Sequence, residues 1–302
     1  MKKIMEYHNP VLLKETVDGL NIKPDGVYVD VTFGGGGHSR EILSRLGENG
    51  KLFAFDQDAD ALENKIDDPR FILIHENFRF IKRFLRFHGV KAVDGVLADF
   101  GVSSHQFDVA GRGFSTRFEA ELDMRMNQKS QLSAYHVINE YDEDQIKQVL
   151  LQYGELRAAP AMAKLIVEFR KNEVIKTSDQ LKSVMKQFLS PKHENKILAQ
   201  IYQAIRIEVN QEIEALKEFL SQTPEILKPN GRLSLISYHS LEDRLVKRFI
   251  RNGLFEGEPE RDVFGNFEVP LKKVGKLVIP SAEEIKINSR SRSAKLRIAE
   301  KV

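Results

Sequence analysis

Four consecutive glycines constrain this chain more than any other feature of its sequence. Gly34 to Gly37 follow the apolar run 28–31 after two residues, Thr32 and Phe33, and precede a helical pattern that spans His38 to Leu46. Glycines let a backbone turn sharply and approach a ligand closely, and the start of the next helix offers free N–H donors. The pattern predicts a strand, loop and helix that bind a ligand. The alternative is a tight turn with no ligand.

An acidic residue follows at the spacing expected of a nucleoside-binding site. The second apolar run, 51–56, ends at Asp56, roughly 20 residues after the last glycine, where a carboxylate can accept both hydroxyls of a ribose. A Walker loop is excluded because no lysine stands near the glycines. Ser39 breaks the third glycine of a G-x-G-x-x-G register, which disfavours NAD. S-adenosylmethionine needs no pyrophosphate cradle, so the pattern favours this cofactor.

Short apolar runs and helical patterns alternate along the first third of the chain. The runs are 26–31, 51–56, 70–75 and 93–99, and a fifth of the same type is 231–237. Such runs are typical of a parallel sheet buried on both faces, so we predict an α/β, doubly wound, Rossmann-like fold.

The long segment between the fourth and fifth strands has helical periodicity. We interpret it as an inserted all-helical domain at 107–213, which divides the α/β core into a first part, 1–106, and a second part, 214–302. Insertions at the carboxyl ends of strands often carry function in such sheets. After the fifth strand we expect a helix over 241–251, an irregular Gly/Pro-rich stretch and a last strand at 294–299.

The third and fourth strands also lead into candidate site residues. Phe78 follows the third strand, where its ring either stacks on an adenine or packs in the core. Asp99 ends the fourth strand and is followed by Gly101 and a polar stretch. Ligands of doubly wound sheets bind at the carboxyl ends of the strands, which makes Asp99 a candidate as well.

Composition limits the function classes. The 46 basic residues nearly balance the 44 acidic ones, so overall charge gives no argument for a nucleic-acid partner. The chain has no cysteine, and none of its eight histidines stands in a HExxH pattern, so we expect no metal site. The first residues lack the apolar core of a secretory signal, and no apolar run is long enough to span a membrane. We therefore expect a cytoplasmic protein with no membrane association.

Local basic clusters leave nucleic-acid binding open. Arg290 and Arg292 lie in a basic loop without acidic residues, which either contacts phosphates or is a solvated turn. In the segment 78–88 aromatic and basic residues interleave. At helical spacing Phe80, Phe84 and Phe87 share one face, so we interpret this segment as an amphipathic helix that packs in the core.

Many separate motifs, in order over nearly the whole chain, match one family. They are 8–13, Thr32–Gly34 with Gly36–His38, Asp99 with Gly101–Ser104 and Gln106, 112–115, 122–126, 203–206, 231–234, 239–244 and 293–300. On these residues the chain resembles the ribosomal RNA small subunit methyltransferase H family of bacteria. The resemblance implies a class I methyltransferase sheet and S-adenosylmethionine-dependent methylation of a cytidine N4 amino group in the decoding region of 16S ribosomal RNA.

The resemblance also implies roles for individual residues. The family's cofactor contacts fall on Gly36, Gly37, His38, Asp56, Phe78, Asp99 and Gln106. His105 stands where many relatives have proline. The inserted domain would recognise the substrate, which is the small-subunit RNA within the 30S particle. A homodimer is left open.

No catalytic residue is identified. The stretch 99–102 occupies the place of the Asp/Asn/Ser-Pro-Pro-aromatic stretch of other amino-methyltransferases but has no prolines. We expect the loops that carry Ser103 and His239 to flank the flipped base. The alternatives are methylation of another base or of DNA, and a non-catalytic RNA-binding module that senses the cofactor.

Overall fold

The computed structural model describes residues 10–264 and 267–302, and these form two compact units. The first unit comprises the chain up to Gly101 and from Ile213 onward, and the second comprises Val102–Glu212. The sequence analysis places the two boundaries at 106/107 and 213/214. His8 and Asn9, the start of the first family motif, lie outside the described residues.

Seven strands and twelve α-helices are defined as follows. The strands are β1 Val27–Asp30, β2 Lys51–Asp56, β3 Phe71–His75, β4 Val93–Asp99, β5 Leu227–Ser237, β6 Leu271–Val278 and β7 Lys295–Lys301. The helices are α1 Leu13–Gly19, α2 Gly37–Arg45, α3 Ile81–Phe87, α4 Ser104–Asp108, α5 Ala134–Asn139, α6 Glu143–Gln152, α7 Ala159–Arg170, α8 Ser178–Val184, α9 Glu194–Asn210, α10 Glu212–Ile226, α11 Ser240–Asn252 and α12 Ala282–Ile287.

The first unit is built on one sheet with the order β3-β2-β1-β4-β5-β7-β6. Strands β1 to β5 are parallel, and β7 is antiparallel to both of its neighbours. The chain runs outward from β1 in one direction through β2 and β3 and in the other through β4 and β5. Such a reversal opens a crevice at the carboxyl ends of the two central strands, which is where ligands bind in open α/β sheets.

Apolar side chains cover both faces of this sheet. On one face α3, α10 and α11 pack against it, with Phe219 of α10 fully buried among the strands. On the other face α1 and α2 pack around Tyr28 and Ile42. A parallel sheet between two helical layers explains why β4 is buried at nearly every position.

The second unit is helical, and its core draws on α5 to α9. Met124, Ile166, Ile201 and Ile205 are among its fully buried residues. Several of its helices begin at side chains that accept a backbone N–H, such as Thr177 before α8. Within residues 10–264 and 267–302 no helix combines the length and apolar character needed to cross a membrane.

Two expectations from the sequence are wrong. Phe80 and Phe87 do not face the core: they are 39% and 82% exposed, and the buried residues of α3 are Ile81 and Leu85. This helix has only seven residues, so a single i, i+4 pair is enough to cover the sheet. The stretch after α11 is not wholly irregular, because 271–278 forms the edge strand β6.

Candidate active site

The glycine loop is crowded on one side and open on the other. Gly34 and Gly36 have φ of +49° and +75°, in the left-handed region that favours glycine, and α2 begins at Gly37. A Cβ on Gly37 would lie 2.1 Å from Cγ of Pro10, whereas one on Gly34 would meet nothing within 4 Å. The loop therefore leaves space for a ligand beside Gly34.

Asp56 is joined to this loop by a hydrogen bond. Its Oδ2 accepts the backbone N–H of Gly34 at 2.8 Å, and its Oδ1 accepts the N–H of Asp58 at 2.9 Å. Burial raises the pKa of Asp56 to about 6, although both N–H donors favour the carboxylate. The side-chain amide of Asn64 donates to the carbonyl of Gly34 at 3.0 Å and fixes the same turn.

Asp99 lies at the carboxyl end of β4, beside the end of β1. The hydroxyl of Tyr238 donates to its Oδ1 at 2.7 Å, and its backbone N–H donates to Oγ1 of Thr32 at 2.7 Å. The pKa of Asp99 is raised to about 7, because burial, helped by the charges of Asp30 and Glu242, outweighs the bond from Tyr238, which lowers it. A carboxyl that titrates near neutral pH in a crevice is typical of a functional site.

His38 is buried against the same carboxyl. Its Nε2 lies 3.2 Å from the carbonyl of Val11, and because a carbonyl only accepts, Nε2 carries the proton. Nδ1 is then an acceptor, 4.0 Å from Oδ2 of Asp99. Burial lowers the pKa of His38 to about 4, so the ring is neutral at physiological pH.

Asp30, the last residue of β1, was not among the residues predicted from the sequence. It is fully buried, with its carboxylate accepting from the hydroxyl of Ser39 at 2.7 Å and the N–H of Thr32 at 3.1 Å. Burial raises the pKa of Asp30 to about 6. Its position, between a strand and a glycine loop, was a signal visible in the sequence. Asp30 braces the loop, while Asp56 and Asp99 remain partly accessible.

Phe78 follows β3 and is half-buried. Its ring centroid lies 5.5 Å from that of Phe219 and 6.0 Å from that of Phe100. One part of the ring therefore belongs to the core, as one of the two interpretations had it, and the rest remains accessible.

Ser103 and Gln106 lie in the second unit and cap α4. The hydroxyl of Ser103 accepts the N–H of Gln106 at 3.2 Å, and the side chain of Gln106 accepts the N–H of Ser103 at 3.0 Å. This capping box fixes both side chains at the helix start.

The other candidate substrate residues lie near the carboxyl end of β5. His239 caps α11, and its Nε2 is 3.1 Å from Oε1 of Glu242. Arg290 and Arg292 are in a short 3₁₀ turn just before β7, which begins opposite Ser237. All three thus lie towards the edge of the sheet where the crevice opens.

Substitution of Gly36 should test the crowded side of the loop. Gly36→Ala places a Cβ 2.8 Å from the Phe33 ring at a φ of +75°. We expect it to lower the free energy of unfolding by about 2–3 kcal/mol, from backbone strain plus overpacking. Gly89→Ala is the matched control, since its φ is also +75° but its Cβ meets nothing within 4 Å. If denaturant titrations show the same loss of unfolding free energy in Gly36→Ala and Gly89→Ala, the crowding at Gly36 is contradicted.

These residues together can hold a cationic nucleoside. The open turn at Gly34 admits a ligand backbone, the Asp56 oxygens can accept hydroxyls, and the Asp99 carboxyl can balance a positive charge. The donors and acceptors fit the amino-acid and ribose parts of S-adenosylmethionine. Nothing in this group of residues resembles a phosphate-binding lysine.

Comparison with known proteins agrees with this interpretation. The model of the MraW methylase family matches residues 5–302. The ribosomal RNA small subunit methyltransferase H of Flavobacterium johnsoniae is 72% identical over 302 residues, which is 100% of both chains. The protein of the same name from Bacteroides thetaiotaomicron is 53% identical over 99% of both chains.

Similarity to solved structures is weaker. An rRNA methylase from Streptococcus thermophilus is 12% identical, with a TM-score of 0.41 and 95% of each chain covered. The fold follows instead from the strand order, which is that of a doubly wound α/β sheet ending in an antiparallel hairpin. With its family model matched over almost all of its length, the chain belongs to the MraW methylase family.

Proposed function

We propose that this chain transfers a methyl group from S-adenosylmethionine to the N4 amino group of a cytidine in the decoding region of 16S ribosomal RNA. The observation that carries the proposal is the pair of partly accessible carboxylates, Asp56 and Asp99, on either side of an open glycine loop. The name of the relatives at 53% and 72% identity, ribosomal RNA small subunit methyltransferase H, supports a small-subunit ribosomal RNA as the substrate.

The cofactor contacts are proposed residue by residue. Gly36, Gly37 and His38 would hold the amino-acid end of the cofactor, and Asp56 would accept the hydroxyls of its ribose. Phe78 would contact the adenine with the accessible part of its ring. Asp99 would balance the charge of the ammonium group. Gln106, at the start of α4, completes the set carried over from the family.

Bound there, the sulfonium supplies an electrophilic methyl group. The exocyclic amine of cytosine is a poor nucleophile because its lone pair is delocalised into the ring. The main tasks of this chain are therefore to orient the amine in line with the methyl group and to exclude water. An acceptor for the amine proton is also needed as charge develops. No residue is assigned to that task.

The proposed RNA contacts rest on where the candidate residues lie in the fold. Ser103 and His239 would flank the flipped base, and Arg290 and Arg292 would contact phosphates. The helical second unit would recognise the RNA, within the 30S particle and in the cytoplasm.

The direct test is methyl transfer to small ribosomal subunits from a strain that lacks this gene. With radiolabelled S-adenosylmethionine, we expect label in N4-methylated cytidine after digestion to nucleosides. Subunits from the parent strain, already modified, are the control and should take up little label. Label in another nucleoside, or in duplex DNA instead of subunits, would contradict the substrate. Cofactor binding without any transfer would favour a binding module.

A further inference from the structure

A cavity of about 370 Å³ lies in the first unit, between α11 and the β6–β7 hairpin. Its volume is within the range of about 300–1,000 Å³ that is usual for ligand sites. The floor is apolar, with Ile250 and Leu271 both buried. Half of the twelve residues that line it are cationic, and they are Lys247, Arg251, Lys272, Lys273, Lys276 and Arg297. None of the residues that line the cavity within 10–264 and 267–302 is acidic.

Four of these cations have no carboxylate partner within the part of the chain that the structure describes. Lys272 pairs with Glu300 at 2.8 Å, and Arg297 pairs with Asp243 at 2.8 Å. Lys247, Arg251, Lys273 and Lys276 make no such pair and are exposed. Four like charges around one concavity repel one another, and this repulsion is relieved when an anion binds.

Simple structural roles do not account for the whole cluster. Lysines on an edge strand discourage pairing with other chains, which explains Lys273 and Lys276 on β6. A cation in the last turn of a helix interacts favourably with its dipole, which explains Arg251. Neither reason explains Lys247, one turn earlier on α11, nor an apolar floor beneath the charges.

The cavity is at a different place on the sheet from the crevice. Lys272 on β6 pairs with Glu300 of β7, which pairs with Arg232 towards the start of β5. The crevice lies at the carboxyl ends of β1 and β4, and β5 stands between β4 and the β7–β6 pair that lines the cavity. A ligand in this cavity would therefore hold the RNA without touching the reacting atoms.

We propose that Lys247, Arg251, Lys273 and Lys276 bind phosphates of a single-stranded stretch of the RNA substrate. The inference rests on the proposed function, which makes RNA the partner. Phosphates supply the dense negative charge that four unpaired cations match, and a single strand can follow a concave surface that a stiff duplex cannot enter. The apolar floor offers a place for an unstacked base.

Charge reversal on the edge strand tests the proposal. The probe is a short fluorescein-labelled single-stranded RNA of mixed sequence, titrated with the full chain and followed by fluorescence anisotropy. Lys273→Glu/Lys276→Glu should weaken binding at least about tenfold at about 0.1 M salt. The slope of log affinity against log salt should become shallower by about 1.4, since each phosphate contact on a single strand contributes about 0.7.

The matched control makes the same change of charge elsewhere in the first unit. Lys51→Glu/Lys91→Glu replaces two exposed lysines next to the amino ends of β2 and β4. We expect it to leave RNA affinity within about twofold of the original chain. Equal weakening in both double variants would show a general effect of net charge and overturn the proposal, as would unchanged binding in Lys273→Glu/Lys276→Glu.

Steady-state methylation of small subunits separates this proposal from the proposed function. In Lys273→Glu/Lys276→Glu the KM for subunits should rise about tenfold while kcat and the affinity for the methyl donor stay unchanged. Normal methylation by both variants would defeat the phosphate site and leave the proposed function standing. No methylation by the original chain, together with the anisotropy loss, would defeat the proposed function and leave the phosphate site standing.

Discussion

Asp56→Ala is expected to weaken binding of S-adenosylmethionine by about 100-fold. A hydrogen bond to a charged group contributes about 1.5–3 kcal/mol, so losing two bonds to ribose hydroxyls costs about 3 kcal/mol at the lower value, and each 1.4 kcal/mol is a factor of ten. The substitution also releases the N–H of Gly34, which Asp56 accepts at 2.8 Å. Isothermal titration calorimetry with S-adenosylmethionine measures the loss directly.

The control for Asp56→Ala removes a neighbouring acid that makes no contact with the glycine loop. Glu63 is exposed, in the 3₁₀ helix that follows β2. Glu63→Ala should keep the affinity within about twofold, because an exposed charge is screened by solvent. Thermal unfolding of both variants checks that the fold is retained. Affinity in Asp56→Ala within tenfold of the original chain would contradict the ribose assignment.

Local patterns in the sequence were enough to predict the α/β class. The strand before Gly34 and the acid at the end of β2 are each recognisable from a few neighbouring residues. The apolar runs of β1 to β5 reflect burial on two faces, which leaves a continuous signal in the sequence. The α/β prediction is confirmed by the seven-stranded sheet.

Contacts between distant parts of the chain could not be read in the same way. Tyr238 and Asp99 are 139 positions apart, and only the pairing of β4 with β5 brings them together. Strand β6 was missed because its exposed edge alternates lysines with small and apolar residues, a pattern close to that of a loop. Phe87 was placed in the core by its helical spacing from Phe80 and Phe84, but α3 is too short to bury it.

Donor binding is expected to depend on the ionisation of Asp99. With a pKa of about 7, this group is largely protonated at pH 6 and largely ionised at pH 8. If the carboxylate balances the cofactor's ammonium group, affinity rises as the pH rises through about 7. Asp99→Asn should weaken binding at pH 8 by about 100-fold, the loss expected for an unpaired buried charge contact. Calorimetry from pH 5.5 to 8.5 follows the change.

Subtracting the pH profile of donor affinity in Asp99→Asn from that of the original chain isolates the contribution of Asp99. Asp30 and Asp56, each with a pKa of about 6, titrate in both proteins, as does the amino group of the donor itself. His38 contributes little, because its pKa is about 4. The difference between the two profiles therefore reports the carboxyl of Asp99.

Tyr238→Phe should move that difference profile to higher pH. The hydroxyl of Tyr238 donates to the carboxylate at 2.7 Å and lowers the pKa of Asp99, so removing it raises the pKa. A charge-assisted bond of about 1.5 kcal/mol corresponds to a shift of about one pH unit. Tyr28→Phe is the matched control, since it removes a tyrosine hydroxyl that bonds to the backbone of Lys23 instead. A midpoint that stays near 7 in Tyr238→Phe would show that this bond does not set the charge of Asp99. A shift that appears only in Tyr238→Phe would make Tyr238 the residue that keeps Asp99 ionised at the pH of the cell, because burial alone would hold the carboxyl protonated there.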